Sequence, residues 1–236
     1  MNDPEKRYAI YFAPVVGSPW WNALSTWLGY DAASGTLLMQ ASAPPLEDRL
    51  LRELTIHPRR YGAHATLKAP FRLATQYCED ELLAAVERFT SRCLAFPLPP
   101  LSIGRINSFI GLTMTHPEAR VNAIAESCTV EFDHFRAPPT VHEMAHRLRE
   151  PLDSEQRALL ALWGYPHVLE RYCFHISLTG DLSEFSDDIK EAALQAVKNR
   201  FDTLLKLSMS FDAVCVFCQS SPSANFRLIQ RYALAS

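Results

Sequence analysis

The spacing of apolar residues along the chain changes between two periods, and each period predicts a different kind of element. Alternating or continuous apolar stretches predict β-strands at residues 7–13, 62–68, 101–106, 108–114, 172–179, 207–218 and 225–232. Steps of three and four residues predict helices, most clearly in 79–95, where Leu82, Val86, Phe89 and Cys93 form one stripe. Further helices are predicted at 19–28, 46–54, 117–127, 141–149, 153–162 and from Ser186 onwards. Elements mixed in this order predict an α+β fold.

Two parts of the chain repeat the same order of features, which predicts an internal duplication. The sequence His64-Ala-Thr66-Leu67 in the first half corresponds to His175-Ile-Ser177-Leu178 in the second half. An amphipathic helix follows each motif, and a Leu-Ser-apolar sequence follows each helix. Chance similarity between two ordinary α+β segments is the alternative explanation.

The duplication predicts one bilobal domain over residues 1–236, with two mainly antiparallel sheets, outer helices and a central cleft. The first lobe is expected at about 46–114 and the second at about 166–236, with strand 7–13 joining the sheet. The segment from about residue 115 to residue 165 is expected to connect the lobes.

Composition restricts the classes of function. The chain has 236 residues, of which 48% are hydrophobic and 21% charged, and its net charge is −3. No polybasic segment indicates a broad nucleic-acid surface. No apolar run is long enough for a membrane span, and the N-terminus lacks the pattern of a signal peptide. We therefore expect a cytoplasmic protein without a membrane partner, whereas its oligomeric state stays open.

Six cysteines are scattered through apolar segments, as is typical of buried free thiols. Cys215 and Cys218 form a CxxC pair within a predicted strand, where residues three apart point to opposite faces. This placement disfavours a metal or redox role for the pair, and no cofactor is expected.

The two histidine motifs carry the candidate chemistry. Side chains alternate along a strand, so His64, Thr66 and Lys68 are predicted to share one face. By the same alternation His175 and Ser177 share a face of the second strand. A pseudo-twofold relation between the lobes would bring both polar faces to one groove.

Such a groove suits displacement at a phosphodiester. One histidine can remove a proton from the attacking oxygen while the other protonates the leaving oxygen, because an imidazole titrates near neutral pH. The hydroxyls of Thr66 and Ser177 can donate to the non-bridging oxygens, and Lys68 can offset their charge. This chemistry requires no metal, and the expected partner is a small-molecule phosphate.

The paired motifs resemble the signature of the two-histidine (2H) phosphoesterases. The sequence Arg59-Arg60-Tyr61-Gly62-Ala63-His64-Ala65-Thr66-Leu67-Lys68-Ala69-Pro70-Phe71-Arg72 is similar to the first block of the branch encoded beside phosphonate-degradation genes. Phe135-Arg136-Ala137-Pro138, Trp163-Gly164-Tyr165-Pro166 and Phe226-Arg227-Leu228 are similar as well. Ala63 departs from the aromatic residue of that branch.

The resemblance implies a bilobal fold in which His64 and His175 are catalytic and Thr66 and Ser177 hold phosphate. It implies a metal-independent phosphodiesterase that acts on a small cyclic phosphodiester, such as a ribose cyclic phosphate in phosphonate catabolism. Tyr61, beside the first motif, is expected to contact substrate, and Tyr8 or Tyr11 could also line the groove.

Two other functions remain open from the sequence. His142-Glu143-Met144-Ala145-His146 matches the HExxH pattern of zinc hydrolases, although Thr140 and Glu143 also form a capping box. Alternatively, the groove could bind a nucleotide or an RNA end without turnover. The phosphate backbone would then be bound by the basic cluster of Arg59, Arg60, Lys68 and Arg72. That cluster could equally be a solvated loop face.

Overall fold

A computed structural model of the chain describes residues 5–147 and 151–235, without the side chains of His142 and His146. Its helices are α1 (Pro19–Leu28), α2 (Asp48–Arg59), α3 (Glu79–Thr90), α4 (Ala119–Glu131), α5 (Val141–Arg147), α6 (Ser154–Trp163) and α7 (Asp187–Phe201). Its main strands are β1 (Arg7–Phe12), β4 (Ala65–Phe71), β6 (Leu101–Ile106), β7 (Phe109–Met114), β8 (His175–Ser177), β10 (Ala213–Gln219) and β11 (Arg227–Ala233). Two-residue strands complete the order, namely β2 (Tyr30–Asp31), β3 (Thr36–Leu37), β5 (Phe96–Pro97) and β9 (Ser210–Phe211).

Two antiparallel sheets carry the two histidine motifs. Strand β4, which follows His64, lies at the edge of a four-stranded sheet with the order β11-β10-β1-β4, called the His64 sheet below. Strand β8 lies at the edge of a three-stranded sheet with the order β6-β7-β8, called the His175 sheet below. Helices pack around both sheets, and the predicted α+β fold is confirmed.

The pairing of the strands differs from the predicted lobes. Segment 101–114 was expected in the lobe of His64, but β6 and β7 pair with β8 and belong to the His175 sheet. Conversely, β10 from the second half of the chain pairs with β1, which pairs with β4, so β10 belongs to the His64 sheet. The predicted lobe boundary is wrong here because the chain crosses to the other sheet after α3 and again after α7. The order of elements in a sequence does not reveal such an exchange.

The two faces of β1 pack into two separate cores, which shows why this strand is apolar throughout. Tyr8, Ile10 and Phe12 point into the large core between the sheet and the helices. Ala9 and Tyr11 belong to a smaller cluster on the opposite face, together with Phe217 and Phe226. The face that carries Ala9 and Tyr11 is called the histidine face below, because the ring of His64 stacks on Tyr11.

Helix α2 extends beyond the predicted end at residue 54 and includes Pro58 in its last turn. A proline has no backbone N–H, so the carbonyl of Leu54 lacks its helical partner. The backbone N–H of Gly180 donates to that carbonyl at 2.7 Å. Helix α2, which leads to His64, is thereby fixed to the turn that follows β8.

Candidate active site

The imidazole of His64 is oriented by the residue two positions before it. Its Nδ1 lies 2.9 Å from the carbonyl oxygen of Gly62, so a proton on Nδ1 donates there and Nε2 keeps its lone pair. Gly62 has a φ of 75°, and a Cβ at this position would lie 2.7 Å from Cβ of Ala32. The turn that orients His64 therefore requires glycine.

Burial changes the titration of His64. The ring stacks on Tyr11 with a centroid distance of 3.9 Å and an interplanar angle of 27°. Desolvation lowers the pKa of His64 to about 4, against the opposing hydrogen bond to Gly62. A neutral imidazole at His64 is therefore the stable form near neutral pH.

His175 repeats this geometry in the other sheet. Its Nδ1 lies 2.9 Å from the carbonyl oxygen of Cys173, again two residues earlier, so Nε2 is not used by this hydrogen bond. Phe109 on the neighbouring strand packs beside the ring at a centroid distance of 5.3 Å. Burial lowers the pKa of His175 as well, opposed by the hydrogen bond to Cys173.

Several contacts bring the two motif strands together. Strands β4 and β8 are in contact, and a positive charge on His175 further lowers the pKa of His64. The indole N–H of Trp27 in α1 donates to the carbonyl of Leu178 at 2.7 Å, just after β8. Together with the bond between Gly180 and Leu54, this contact holds the end of β8 against the helices that precede His64.

The two hydroxyl side chains lie where the alternation predicts. Thr66 pairs directly with Tyr11 across the strands, so it lies on the histidine face. Ser177 pairs with Gly111, two residues along β8 from His175. Neither hydroxyl makes a hydrogen bond to another residue of the described chain, and both side chains are partly exposed. Their predicted contact with phosphate stays a prediction.

Lys68 does not share the face of Thr66, and this prediction is wrong. The register between β1 and β4 shifts after the pair of Tyr11 and Thr66, so that Lys68 pairs with Ile10, whose side chain points into the large core. Lys68 is only 3% exposed, and its Nζ donates to Asp133 Oδ1 at 3.0 Å and to the carbonyl of Thr129 at 3.0 Å. The β-bulge inverts the alternation that the prediction assumed.

Tyr61 lies beside the first motif, as its position in the sequence suggests. Its ring is 6.0 Å from that of His64 and stacks on Phe226 at 5.2 Å. Contact with substrate stays a prediction for this residue. Tyr11 contributes the stacking partner of His64, whereas Tyr8 points to the other face.

The carbonyl groups of Gly62 and Cys173 and the ring of Phe109 are parts of the site that the sequence analysis did not identify. The carbonyls carry no side-chain signal, although their equivalent positions before the two histidines could have revealed them once the duplication was recognised. Phe109 is recognisable only after β7 is known to pair with β8.

The capping box in the HExxH segment is present. Glu143 N donates to Thr140 Oγ1 at 3.1 Å, and Thr140 N donates to Glu143 Oε2 at 2.7 Å. The same carboxylate pairs with Arg72, and these bonds lower the pKa of Glu143 to about 2 against the effect of its burial. The side chains of His142 and His146 lie outside the described residues. Across the part of the chain that the structure describes, no group of three or more His, Cys, Asp and Glu side chains could hold a metal ion.

The basic residues around the first motif bind other parts of the protein. Arg59 donates to the carbonyl of Leu28 at 2.6 Å and to Gln40 at 2.9 Å. Arg60 donates to the carbonyl of Pro222, and Arg72 pairs with Glu143. These side chains form hydrogen bonds and an ion pair within the protein. This arrangement does not support the prediction that they bind a phosphate backbone.

The predicted opposite orientation of Cys215 and Cys218 is confirmed. Cys215 lies in the smaller cluster and Cys218 in the large core, on opposite faces of β10, and both thiols are free. Among residues 5–147 and 151–235, no helix is long and apolar enough to cross a membrane.

The fold and the site define a class of α+β protein with two antiparallel sheets. The edge strand of each sheet carries a motif with an imidazole and a hydroxyl, and these two edge strands, β4 and β8, are in contact. Residues 66–227 match the family model described as "Protein of unknown function (DUF1045)". The chain belongs to this family, and the branch expected from the motifs is thereby confirmed.

Curated relatives of similar sequence are about twice as long as the matched region. The chain is 37% identical over 226 residues to "Ribose 1,5-bisphosphate phosphokinase PhnN" of Janthinobacterium sp. (strain Marseille), covering 95% of this chain and 50% of that protein. It is 31% identical to the protein of the same name from Laribacter hongkongensis, again covering 50% of that protein. The chain thus spans about half the length of the curated relatives it matches.

Solved structures with a similar fold include LigT of E. coli. The complex with ATP is 12% identical, with coverage of 99% of this chain and 100% of that chain and a TM-score of 0.46. The apo form of the same protein is 14% identical, with coverage of 98% and 99% and a TM-score of 0.45.

Proposed function

We propose that the chain is a metal-independent phosphodiesterase that opens a small cyclic phosphodiester. The supporting observation is the equivalent geometry of the two histidines. Each imidazole is held through Nδ1 by the carbonyl two residues before it, and each leaves Nε2 for proton transfer. Two such groups on contacting strands meet the requirement for one base and one acid in an in-line displacement.

The depressed pKa values favour one assignment of roles. The lower pKa of His64, about 4, favours the neutral form, so His64 is the base that takes a proton from the attacking water. The water oxygen forms the new bond to phosphorus while the bond from phosphorus to the ring oxygen of the substrate breaks. His175 then donates the proton from its Nε2 to the departing oxygen. The product carries a phosphomonoester and a free hydroxyl.

Thr66 and Ser177 complete the proposed site as hydrogen-bond donors to the non-bridging phosphate oxygens. Each stands two residues after its histidine, and alternation places the two side chains of a motif on the same face. Donors at these oxygens stabilise the additional charge that develops in the transition state. Lys68 has no part in this step because its ammonium is paired with Asp133.

The names of the curated relatives suggest the class of substrate. Those proteins are named for ribose 1,5-bisphosphate, and this chain matches half of their length. A P-loop of the form GxxxxGK[ST], which would cradle the phosphates of a nucleotide, does not occur in this sequence. We therefore assign the kinase activity in the names of these relatives to their other half. A cyclic phosphate of ribose is the substrate that fits both the proposed site and the ribose 1,5-bisphosphate in the names of the relatives.

Turnover of a panel of cyclic phosphates in excess EDTA tests the proposal. The panel contains a ribose 1,2-cyclic phosphate and nucleoside 2′,3′-cyclic phosphates, with His64→Gln and His175→Gln as active-site variants and His116→Gln, at an exposed position, as the matched control. We expect turnover that EDTA does not change and that falls about 10²–10⁴-fold in each active-site variant. Loss of activity in EDTA, or full activity in both variants, would refute the mechanism.

A further inference from the structure

The face of the His175 sheet that carries the second motif continues from β8 onto the neighbouring strand. Residues that pair directly across antiparallel strands point to the same face of the sheet. His175 pairs with Thr113, and Ser177 pairs with Gly111. These four residues therefore share one face of the His175 sheet, which is called the motif face below.

Strand β6 extends the motif face to the far edge of the sheet. Ser102 pairs with Thr113, and Gly104 pairs with Gly111. Because neighbouring strands lie about 4.8 Å apart, Gly104 lies roughly 10 Å from Ser177 across the sheet. The motif face thus presents a row of one imidazole and two hydroxyls beside a row of one hydroxyl and two glycines.

Two hydroxyls lie in the same row as the imidazole of His175. The Cβ atoms of directly paired residues are about 4.5–5.5 Å apart, so the side chain of Thr113 lies beside His175. Ser102 Oγ and Thr113 Oγ1 are 3.3 Å apart, and both side chains are partly exposed. One hydroxyl proton can join this pair, whereas the other proton and further lone pairs remain for a ligand.

Gly104 leaves an open space beside the hydroxyl pair. A Cβ at this position would meet no atom within 4 Å, and its backbone is not left-handed, so neither packing nor conformation requires glycine. Gly111 is enclosed instead, since a Cβ there would lie 3.0 Å from Ile106 Cδ1 and 3.0 Å from the carbonyl oxygen of Ile176. Glycine inside a strand lowers stability and is typical of places where a ligand approaches the backbone.

Apolar side chains border this space on the side opposite the hydroxyls. Ile106 and Phe109 pair directly at the end of the hairpin between β6 and β7, and both are partly exposed. The ring of Phe109 lies 5.3 Å from that of His175, so this border reaches the proposed catalytic group. Hydroxyls on one side and apolar groups on the other suit a sugar, which has both hydroxyl groups and a C–H surface.

We propose that Ser102, Gly104 and Thr113 form the subsite that binds the sugar of the substrate. The sugar lies over Gly104, its hydroxyl groups bind Ser102 and Thr113, and its C–H surface packs against Ile106. The inference rests on the proposed function and narrows its substrate class to cyclic phosphates of a hydroxyl-bearing sugar. The subsite makes and breaks no covalent bond, so it contributes to specificity.

Calorimetric binding of two probes tests the subsite without any need for turnover. Adenosine 2′-phosphate presents a sugar beside its phosphate, whereas inorganic phosphate has no sugar. We expect the wild type to bind the nucleotide at least about tenfold more tightly than phosphate. Gly104→Leu fills the open space and Thr113→Val removes one hydroxyl, so each should lower the nucleotide affinity about tenfold without changing the phosphate affinity.

The control is Arg105→Leu, which introduces the same side chain one residue later on the opposite face of β6 and should retain both affinities. Thr113→Val keeps the shape of the side chain, so it separates loss of the hydroxyl from loss of folding. An unchanged nucleotide affinity in either Gly104→Leu or Thr113→Val would overturn the proposal. A wild type that binds the nucleotide no more tightly than phosphate would overturn it as well.

Turnover then separates this inference from the proposed function. The measured quantity is the ratio of kcat/KM for adenosine 2′,3′-cyclic phosphate to kcat/KM for the cyclic phosphate of ethylene glycol, which lacks a sugar. We expect this ratio to fall about tenfold in Gly104→Leu and in Thr113→Val and to persist in Arg105→Leu. Nucleotide binding that depends on Gly104, without turnover of any cyclic phosphate, would contradict the phosphodiesterase and leave the subsite in place. Turnover with an unchanged ratio in both variants would contradict the subsite alone.

Discussion

Two backbone carbonyls determine which nitrogen of each histidine is available for chemistry. Hydrogen bonds from Nδ1 to Gly62 and to Cys173 fix the same tautomer at His64 and at His175. Orientation by a fixed carbonyl removes the need for a carboxylate partner, and it keeps the negative charge near the phosphate low. In the proposed mechanism, activity therefore depends on the turn before each strand as well as on the imidazoles.

The pH dependence of kcat/KM follows from the two lowered pKa values. The active form has neutral His64 and protonated His175, so it is most populated between about pH 4, the pKa of His64, and the pKa of His175, which lies below 6.5. We predict an optimum of kcat/KM on the acidic side of pH 6.5 and a tenfold decrease per pH unit above the second pKa. Initial rates across pH 4–9 at low substrate give the profile, and an optimum above pH 7 would contradict this assignment.

The free energy of unfolding should also depend on pH because of the lowered pKa of His64. The folded state holds His64 neutral with a pKa of about 4, below its ordinary value of 6.5, so the unfolded chain binds more protons between those values. Stability from this group is present above pH 6.5 and is lost as the pH falls towards 4, by roughly 3 kcal/mol at most. Urea denaturation at pH 7 and pH 4.5 should show a smaller loss in His64→Gln than in the wild type, whereas His116→Gln should behave as the wild type. An equal loss in all three would contradict the burial effect.

At the scale of elements, a β-bulge separates the part of strand β4 that faces the site from the part that supports the core. Thr66 lies opposite Tyr11 on the histidine face, and two residues later Lys68 lies opposite Ile10 on the other face. Asp133 pairs with Lys68 and also with Arg136, which ties β4 to the segment after α4. The strand thus places the hydroxyl of Thr66, which is proposed to bind phosphate, close in sequence to a structural ion pair.

Substitutions at these two positions should separate activity from stability. Lys68→Met removes one member of a buried ion pair, and we predict a loss of about 3 kcal/mol in unfolding free energy with nearly unchanged kcat/KM. Thr66→Val removes the proposed hydrogen bond to the charged phosphate, and we predict a decrease of about 10- to 100-fold in kcat/KM with little change in stability. Denaturation and steady-state kinetics on both variants provide the comparison. The reverse outcome, a kinetic defect in Lys68→Met alone, would restore the original expectation for Lys68.

Most elements could be predicted from the sequence because their periodicity is local. Helix α1 begins and ends where the prediction puts it, since Ser18 caps it and Gly29 ends it with a φ of 73°. The bulge in β4 and the extension of α2 through Pro58 could not be predicted, because each depends on a partner distant in sequence. The histidines and hydroxyls were recognisable for the same reason as the helices, through a short pattern that occurs twice.

At the scale of the whole molecule, the two halves of the chain exchange strands. The helix that follows each motif leads the chain to the sheet of the other motif, so β6 and β7 join β8 while β10 joins β1. Neither histidine motif belongs to a sheet built from strands of its own half alone. The duplication was visible in the sequence, whereas the exchange was not, because pairing partners are not encoded in local periodicity.

The exchange predicts that the halves cannot fold separately. A cut in the connection between β7 and α4 leaves β4 and β1 without β10, and leaves β8 without β7. Exposed strand edges and an open core should then prevent a cooperative transition in either fragment. We expect thermal melts of fragments 1–116 and 117–236 to show no transition alone and to regain one, with activity, when the fragments refold together. A cooperative melt of either fragment by itself would contradict this topology.

The central claim is that His64 and His175 act as one unit on a single phosphate, and a double-mutant comparison tests it most directly. kcat of the wild type, His64→Gln, His175→Gln and the double variant would be measured on the best cyclic phosphate in EDTA. Groups that act together in one step show strongly non-additive effects. We predict that each single variant loses about 10²–10⁴-fold and that the double variant is no slower than the slower single variant. A double variant whose loss equals the product of the single losses would show that the two histidines act independently, and would contradict the mechanism.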